Sequence, residues 1–259
     1  MVMPFRKMLL LIVILSSTLL ACTTSPTGRH QMMLVSEGQV HEMGEEAFNQ
    51  LKGEKPVSRN ASLTRYINCV TDAIIPVVQG GYSWEVVLFE DDAVNAFALP
   101  GGKVGVFSGL LNVAENQHQL ATVIGHEIAH VIARHSAARV SNQLATQLGV
   151  SVLAQTTGMS PQLIGMGADL LLTLPYSRGD EAEADRLGLN YMARAGFDPR
   201  ESVALWQNMD RVGGARPAQF MSTHPAPQSR IQDLQRQMPQ AMAAYEQARN
   251  QGRRPNCTP

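Results

Sequence analysis

Two histidines four residues apart flank a glutamate in the segment His126-Glu127-Ile128-Ala129-His130. The apolar residues around this segment have helical spacing, and residues four apart lie on one face of a helix, so both imidazoles can bind a single metal ion. Glu127 lies beside them and can take a proton from a water molecule that the metal activates. The segment therefore predicts a catalytic zinc site, rather than two histidines that only pack on an amphipathic helix.

A catalytic zinc site needs a third protein ligand and keeps one position open for water. The extended HExxHxxGxxH pattern is absent, because Ala133 stands where its glycine would fall. The acidic stretch at residues 177–185 offers Glu181 and Asp185 on one helical face, with Glu183 pointing away. One of the first two can bind zinc while the other orients a ligand imidazole. Carboxylates are also common at helix starts that bind no metal.

Three motifs in this order resemble the metallopeptidase family of the CAAX prenyl proteases and the HtpX-type heat-shock peptidases. They are HEIAHVIARHSAA at residues 126–138, an SR…E…AD pattern at residues 177–185 and Thr-His-Pro at residues 223–225. The resemblance covers residues 36–236, and the short lipoprotein form is similar to the periplasmic, outer-membrane-associated branch. It implies that Glu181 is the third zinc ligand and that Asp185 orients a ligand histidine. It also implies packing or hydrogen bonding for His135.

The resemblance further suggests residues that contact the substrate or the transition state. The strand and turn at residues 95–102 would border the cleft, where an extended peptide can add itself as another strand. Asn95 and Gly101 are therefore candidates for substrate binding. His224 could stabilise the oxyanion during catalysis, or bind zinc as a fourth ligand in a self-blocked resting state. Arg178 could bridge carboxylates near the site or form only a surface ion pair.

Residues 1–21 have the features of a secretory signal. Positive charges at residues 6–7 precede an unbroken apolar run at residues 8–15. The ending Leu-Leu-Ala-Cys resembles a bacterial lipobox, so cleavage would leave Cys22 as the lipidated first residue. Thr23, which is not an aspartate, favours the outer membrane by resemblance to enteric lipoproteins. An uncleaved anchor is the alternative, but the apolar stretch is shorter than the about 20 residues that a span needs.

The pattern of apolar residues predicts the elements that must hold the site. Helices are expected at about residues 36–51, 61–78, 115–148, 178–195, 200–212 and 228–238, with a less regular piece at 161–174, and strands at about 84–89, 93–99 and 104–107. We therefore expect an α+β fold: a mostly helical, zincin-like metallopeptidase domain with a small antiparallel sheet next to the HExxH helix. The expected organisation is a signal at 1–21, a membrane tether at 22–35 and the peptidase domain at 36–259.

Composition and cysteine content limit the partners and the compartment. The formal net charge of -1 gives no electrostatic reason to expect a nucleic-acid partner. Two cysteines remain besides Cys22, namely Cys69 and Cys257. In an oxidising compartment they could form one disulfide, or they could remain two unrelated thiols.

The sequence as a whole predicts a zinc-dependent endopeptidase of the bacterial cell envelope with one Zn²⁺ per chain. It would be attached through its N-terminal lipid, on the periplasmic face of the outer membrane, and would hydrolyse misfolded or unassembled envelope proteins. The alternative is a chaperone or assembly factor for outer-membrane proteins with latent proteolysis. The sequence has no helical repeat array to act as a binding platform, which favours the protease. A purely structural zinc would leave Glu127 without a role.

Overall fold

The computed structural model describes residues 22–153, 171–213, 219–225 and 229–259. Its elements in chain order are β1 (Cys22–Thr24), β2 (His30–Met32), α1 (Glu37–Glu54), α2 (Ala61–Ile74), β3 (Glu85–Phe89), β4 (Ala96–Leu99), β5 (Lys103–Phe107), α3 (Gln117–Ile132), α4 (His135–Leu153), α5 (Arg178–Ala195), α6 (Glu201–Gly213), α7 (Gln219–Thr223) and α8 (Arg230–Asn250). Short 3-10 turns follow α2 and β5. Helices dominate, so the predicted α+β class is confirmed.

The central sheet has three strands in the order β3-β5-β4. β4 runs antiparallel to β5, as predicted, but β3 runs parallel to β5. The difference arises because β5, and not β4, pairs with β3. The chain reverses direction once between β3 and β4 and again between β4 and β5, so β3 and β5 run in the same direction. A second, separate antiparallel pair joins β1 and β2. In the described part of the chain, β4 pairs only with β5 and forms one edge of the sheet.

Side chains of the central sheet alternate between two apolar layers, as the two-residue period of a strand requires. One layer packs with the helices α2 and α3 and contains Ala96, Ala98, Val104 and Val106. The other packs with α1 and α4 and contains Phe89, Phe97, Leu99 and Phe107. The sheet therefore lies between two layers of helices. Helix α3, which carries the HExxH segment, packs directly against β4.

Helices α3 and α5 approach each other closely at two glycines. A Cβ atom placed on Gly188 would lie 2.8 Å from the backbone nitrogen of His126 and 2.9 Å from the carbonyl carbon of Gly125. Real Cβ atoms do not come so close to backbone atoms, so Gly188 lets the two helix backbones touch. This contact places α5 against the segment of α3 that carries the two histidines.

The helix predicted at residues 115–148 is in fact two helices, α3 and α4. Arg134 lies between them with φ 58°, in the left-handed region. No glycine or proline marks this break, which is why the apolar periodicity did not reveal it. In a continuous helix, His130 and His135 would point about 140° apart. The turn at Arg134 brings their Nδ1 atoms to 2.9 Å from each other.

The other five regular helices that the sequence predicts are present, and all except α5 differ from the prediction at one end or both. The helix predicted at residues 228–238 begins at Arg230 and continues through Pro239 to Asn250. The short helix α7 was not predicted, and most of the piece predicted at 161–174 lies outside the described residues. No helix in the described ranges combines the length and the apolarity needed to cross a bilayer.

The first described residues form a hairpin, β1–β2, that turns at Gly28 with φ 86°. The hairpin packs onto the protein, because the Thr27 hydroxyl and the Arg29 guanidinium both donate hydrogen bonds to Glu183 of α5. The segment that the sequence assigned to a membrane tether is therefore folded against the helices over residues 22–32.

Cys69 of α2 and Cys257 near the end of the chain form a disulfide, so the bridged alternative describes this structure. The segment after α8 folds back over the domain before it reaches the bridge. Arg253 donates a hydrogen bond to the carbonyl of Arg194, and the Cys257 amide donates one to the Gln117 side chain. The disulfide thus holds an extended C-terminal segment against α2 and the start of α3.

Replacing Cys257 with serine should lower the free energy of unfolding by about 2–4 kcal/mol, because the cross-link closes a long loop and restricts the unfolded chain. Denaturant unfolding under oxidising conditions measures this change. The Cys69→Ser/Cys257→Ser double variant is the control and should lose no more than either single variant, since each removes the same bond. A wild-type protein that is equally stable with and without reductant would contradict the prediction.

Candidate metal centre

Four buried side chains bring their donor atoms together between α3, α5 and the end of α7. They are His126 and His130 from one face of α3, Glu181 from the first turn of α5, and His224 immediately after α7. One ligand atom from each lies within 4.8 Å of all the others. Ser177 caps α5 and so fixes the turn that carries Glu181. The structure therefore brings the three predicted zinc ligands together with His224, for which the sequence left open a role as fourth ligand.

The spacing of these atoms fits one zinc ion. The separations are 3.0 Å between the Nε2 atoms of His126 and His130, 3.3 Å from His126 Nε2 to His224 Nδ1, 3.1 Å from His224 Nδ1 to Glu181 Oε1, and 3.4 Å from His130 Nε2 to Glu181 Oε1. A tetrahedron of ligands about 2.0–2.1 Å from zinc has edges of about 3.3 Å. Imidazole and carboxylate are also donors that zinc prefers, so the donor set fits this metal.

Charges around the donor set favour a cation. Burial alone would raise the pKa of Glu181, but the rings of His126 and His224 lower it well below its usual range. Burial alone would lower the pKa of His126, but Glu181 and Asp185 raise it to about 10. The pocket thus stabilises positive charge at His126, and a divalent cation bound there can take the place of that proton.

Asp185 contacts the ring nitrogen of His126 that points away from the donor set, which is the arrangement that the sequence predicts. Because Nε2 of His126 faces the donor set, its Nδ1 carries the proton and donates to Asp185 Oδ1 over 3.0 Å. Asp185 also accepts a 2.6 Å hydrogen bond from Arg230 Nε, and Arg230 donates another of 2.6 Å to Glu181 Oε2. Arg230 is only 3% exposed and stacks on the ring of Trp206. One guanidinium therefore orients both carboxylates of α5.

Arg178 does not bridge carboxylates in this structure. Its side chain is exposed, and it forms no ion pair with any residue in the described ranges. Arg230 fills that position instead, because α8 packs across α5 and places its first turn over Glu181 and Asp185. Sequence reasoning missed Arg230, which lies about fifty residues beyond the acidic motif and has no distinctive local pattern.

His130 has a different set of neighbours. Its ring stacks on Tyr176 with centroids 3.9 Å apart, and the Tyr176 hydroxyl lies 2.8 Å from Ser136 Oγ. His130 Nδ1 meets Nδ1 of His135, so the prediction that His135 forms hydrogen bonds is confirmed. Tyr176 was not predicted; its place just before the acidic motif was the only signal for it.

Glu127 lies beside the donor set without a hydrogen bond. It is 1% exposed, and neither carboxylate oxygen has a hydrogen-bond partner among the described residues. The ring nitrogen Nε2 of His224 lies 3.4 Å from Oε1 of Glu127. Burial raises the pKa of Glu127, opposed in part by the rings of His224 and His126. Two nearby carboxylates thus differ in proton affinity, as an acid–base group and a metal ligand should.

The strand β4 connects the two predicted substrate-contact residues. Asn95 precedes it, is buried, and has no hydrogen-bond partner for its side-chain oxygen in the described structure. Gly101 follows it in the turn to β5 with φ 87°. Neither residue belongs to the donor set. The strand between them packs on α3, and its Ala98 amide lies close enough to Glu127 to affect the pKa of that carboxylate.

Comparison with known proteins finds one matching family and several relatives. The model of peptidase family M48 matches residues 58–238. The chain is 35% identical over 210 residues to the mitochondrial metalloendopeptidase OMA1 of Schizosaccharomyces pombe, covering 79% of this chain and 62% of that protein. It is 32% identical over 249 residues to the human metalloendopeptidase OMA1, covering 90% and 46%. It is 31% identical over 212 residues to the beta-barrel assembly-enhancing protease of Escherichia coli K12, covering 77% and 44%. The chain spans about half the length of these relatives.

Replacing Asp185 with asparagine should weaken zinc binding by about 10- to 100-fold, because the carboxylate that holds the His126 ring is lost. Competition against a chromogenic chelator measures the zinc dissociation constant. The control is Asp210→Asn, the same substitution at an exposed position on α6, which should bind zinc like the wild type. An unchanged zinc affinity for Asp185→Asn would remove Asp185 from its orienting role.

Proposed function

This chain belongs to peptidase family M48, and we propose that it is an endopeptidase of the bacterial cell envelope that cleaves misfolded or unassembled envelope proteins. That it is a metalloendopeptidase using zinc follows from the family and from its buried donor set. The observation that carries the proposal is the position of Glu127, buried without a hydrogen bond at the edge of that donor set.

The resemblance inferred from the sequence motifs was correct for the metallopeptidase family. The relatives found by comparison are OMA1 proteins and beta-barrel assembly-enhancing proteases, and these matches do not single out the CAAX or HtpX-type peptidases. Assignment to a lipoprotein branch therefore remains part of the proposal.

We propose that His126, His130 and Glu181 hold the metal while Glu127 moves the proton. Zinc, when bound, polarises the peptide carbonyl and lowers the pKa of water towards about 7. Glu127 takes a proton from the attacking water and delivers it to the leaving amine. Its burial supports this role, because burial raises the pKa of Glu127 and so favours accepting the proton.

His224 has two proposed roles, and each of its ring nitrogens supports one of them. Nδ1 lies within the donor set, so His224 can act as a fourth ligand that blocks the position that water or substrate needs. Nε2 faces Glu127 at 3.4 Å, so a displaced His224 would still lie close enough to stabilise the oxyanion. We therefore propose a self-blocked resting state that opens when His224 moves away from Phe220, on which its ring stacks at 4.3 Å.

The edge strand β4, which pairs only with β5 in the described structure, is the proposed docking site for the substrate. An extended peptide can pair with a strand edge through backbone hydrogen bonds, which depend little on side-chain identity. Such a peptide would lie beside Glu127, because β4 packs on α3. Asn95 and Gly101, at the two ends of this strand, are the proposed contacts. Recognition through backbone groups suits unfolded proteins of varied sequence.

The envelope location is proposed from the signal and lipobox in the sequence. Lipid on Cys22 would attach the chain to the membrane, with residues 1–21 removed as the signal. Because residues 22–32 form the packed hairpin, the proposed tether would hold the peptidase domain close to the membrane surface. One relative is named for enhancing beta-barrel assembly, which supports unassembled outer-membrane proteins as substrates. We propose no nucleic-acid partner.

Replacing Glu127 with glutamine should reduce hydrolysis of casein by at least about 100-fold while leaving zinc content and fold unchanged, because only proton transfer is lost. The assay follows peptide release, with zinc measured on the same samples. The matched control is Glu115→Gln, an exposed glutamate before α3, which should stay as active as the wild type. Hydrolysis retained in Glu127→Gln would exclude Glu127 as the base.

His224→Ala in the same assay separates the remaining possibilities. A variant that is faster than the wild type supports the self-blocked state, whereas a slower one supports oxyanion stabilisation alone. If all zinc-loaded proteins fail to cleave casein, the peptidase proposal is wrong for this substrate class. The assembly-factor alternative would then predict that the wild type still suppresses aggregation of unfolded outer-membrane proteins.

Replacing Cys22 with serine should release the protein from membranes and abolish incorporation of labelled palmitate, because residue 22 then has no thiol that can be acylated. Fractionation of cells that express the full-length chain measures the release. Cys257→Ser is the matched control and should remain lipidated and membrane-bound. Membrane retention of Cys22→Ser would favour an uncleaved N-terminal anchor.

A further inference from the structure

The ring nitrogen Nδ1 of His130 points away from the donor set. It is the first atom in a series of buried polar contacts. When Nε2 of His130 binds the metal, as proposed, Nδ1 carries the ring proton. The only group at hydrogen-bond distance from that nitrogen in the described structure is Nδ1 of His135, at 2.9 Å. His130 therefore donates, and His135 accepts at Nδ1.

The orientation of His135 is fixed in turn. With a lone pair at Nδ1, a neutral His135 carries its proton on Nε2, and this nitrogen lies 3.3 Å from Glu183 Oε2. Glu183 is 2% exposed and lies on the opposite side of α5 from Glu181. A single arrangement of protons thus satisfies every step from His130 through His135 to the Glu183 carboxylate.

The other contacts of Glu183 come from the N-terminal hairpin. Thr27 donates to Glu183 Oε1 from both its hydroxyl, at 2.6 Å, and its backbone amide, at 3.2 Å. Arg29 donates to Glu183 Oε2 over 3.0 Å, and its other terminal nitrogen donates to Asp180 over 2.8 Å. Both carboxylate oxygens are therefore held, which determines the direction in which Oε2 faces His135.

A third contact from the hairpin reaches the end of the HExxH helix. The Gln31 side chain donates a 3.0 Å hydrogen bond to the carbonyl of Ala133, directly before the turn at Arg134. This contact stabilises the turn that places His135 against His130. The hairpin thus contacts both the Glu183 carboxylate, which lies next to His135, and the backbone carbonyl of Ala133, two residues before His135.

We propose that Thr27 and Arg29 are positioning residues for the metal ligand His130 and act through Glu183 and His135. This inference rests on the proposed role of His130 as a zinc ligand. The contacts are made by a hairpin that starts at Cys22, the residue proposed to carry the lipid. Arg29 contacts Glu183, Glu183 contacts His135, and His135 contacts His130. These four side chains connect the hairpin, which begins at the proposed lipidation site, to the metal site.

The test measures metal binding, not hydrolysis, on the full-length chain. Arg29→Ala and, separately, Thr27→Val should each weaken zinc binding by about 10-fold in chelator competition, in the range found when partners of ligand histidines are removed. The visible absorption bands of the Co²⁺-substituted protein should also shift, because they report the ligand geometry. Arg29→Lys, which keeps one charged donor, should recover most of the zinc affinity.

Arg59→Ala is the matched control. It makes the same substitution at an exposed arginine before α2 whose side chain forms no ion pair in the described ranges, so zinc affinity and the Co²⁺ spectrum should match the wild type. Thermal unfolding with and without zinc separates positioning from general stabilisation. A positioning role predicts that the variants gain less stability from zinc than the wild type gains.

Wild-type zinc affinity and an unchanged Co²⁺ spectrum in both Arg29→Ala and Thr27→Val would overturn the proposal. So would an equal loss of thermal stability with and without zinc. These readouts do not require cleavage of any substrate. If casein cleavage fails while the pattern of zinc affinities holds, the positioning role stands and the proposed peptidase function fails.

Discussion

The rest of the structure depends on how closely α3 can approach α5. At Gly188 a Cβ atom would lie 2.8 Å from the backbone of His126, so a hydrogen side chain is what lets the two helices touch. This contact sets the distance between the histidines of α3 and the first turns of α5. Glu181 Oε1 lies 3.4 Å from His130 Nε2, close to the edge of about 3.3 Å in a tetrahedral zinc site, so helices held farther apart would move Glu181 out of the donor set.

The close approach also buries several ionisable groups, which costs free energy unless each group is paired. Arg230 pairs with both Glu181 and Asp185, and Glu183 is held by the hairpin and His135. Glu127 is the exception, since it is buried without a hydrogen bond. This buried carboxylate is the group that the proposed reaction uses.

Segments from both ends of the described domain contact the residues around the site. The N-terminal hairpin reaches His130 through Glu183 and His135, whereas α8 near the C-terminus reaches His126 through Arg230 and Asp185. The two ligand histidines, four residues apart, are thus oriented by segments about two hundred residues apart. The disulfide between α2 and the C-terminal segment further ties the chain end to the layer that supports α3.

The sequence by itself determined what depends on near neighbours in the chain. Three local features have a fixed geometry: the spacing of His126 and His130, the spacing of Glu181 and Asp185 on one helical face, and the capped helix from Ser177 to Gly196. Only the tertiary structure decided the parallel pairing of β3, the turn at Arg134, and the choice of Arg230 over Arg178. These depend on which distant segments pack together, and a helical or strand period carries no information about contacts between residues far apart in sequence.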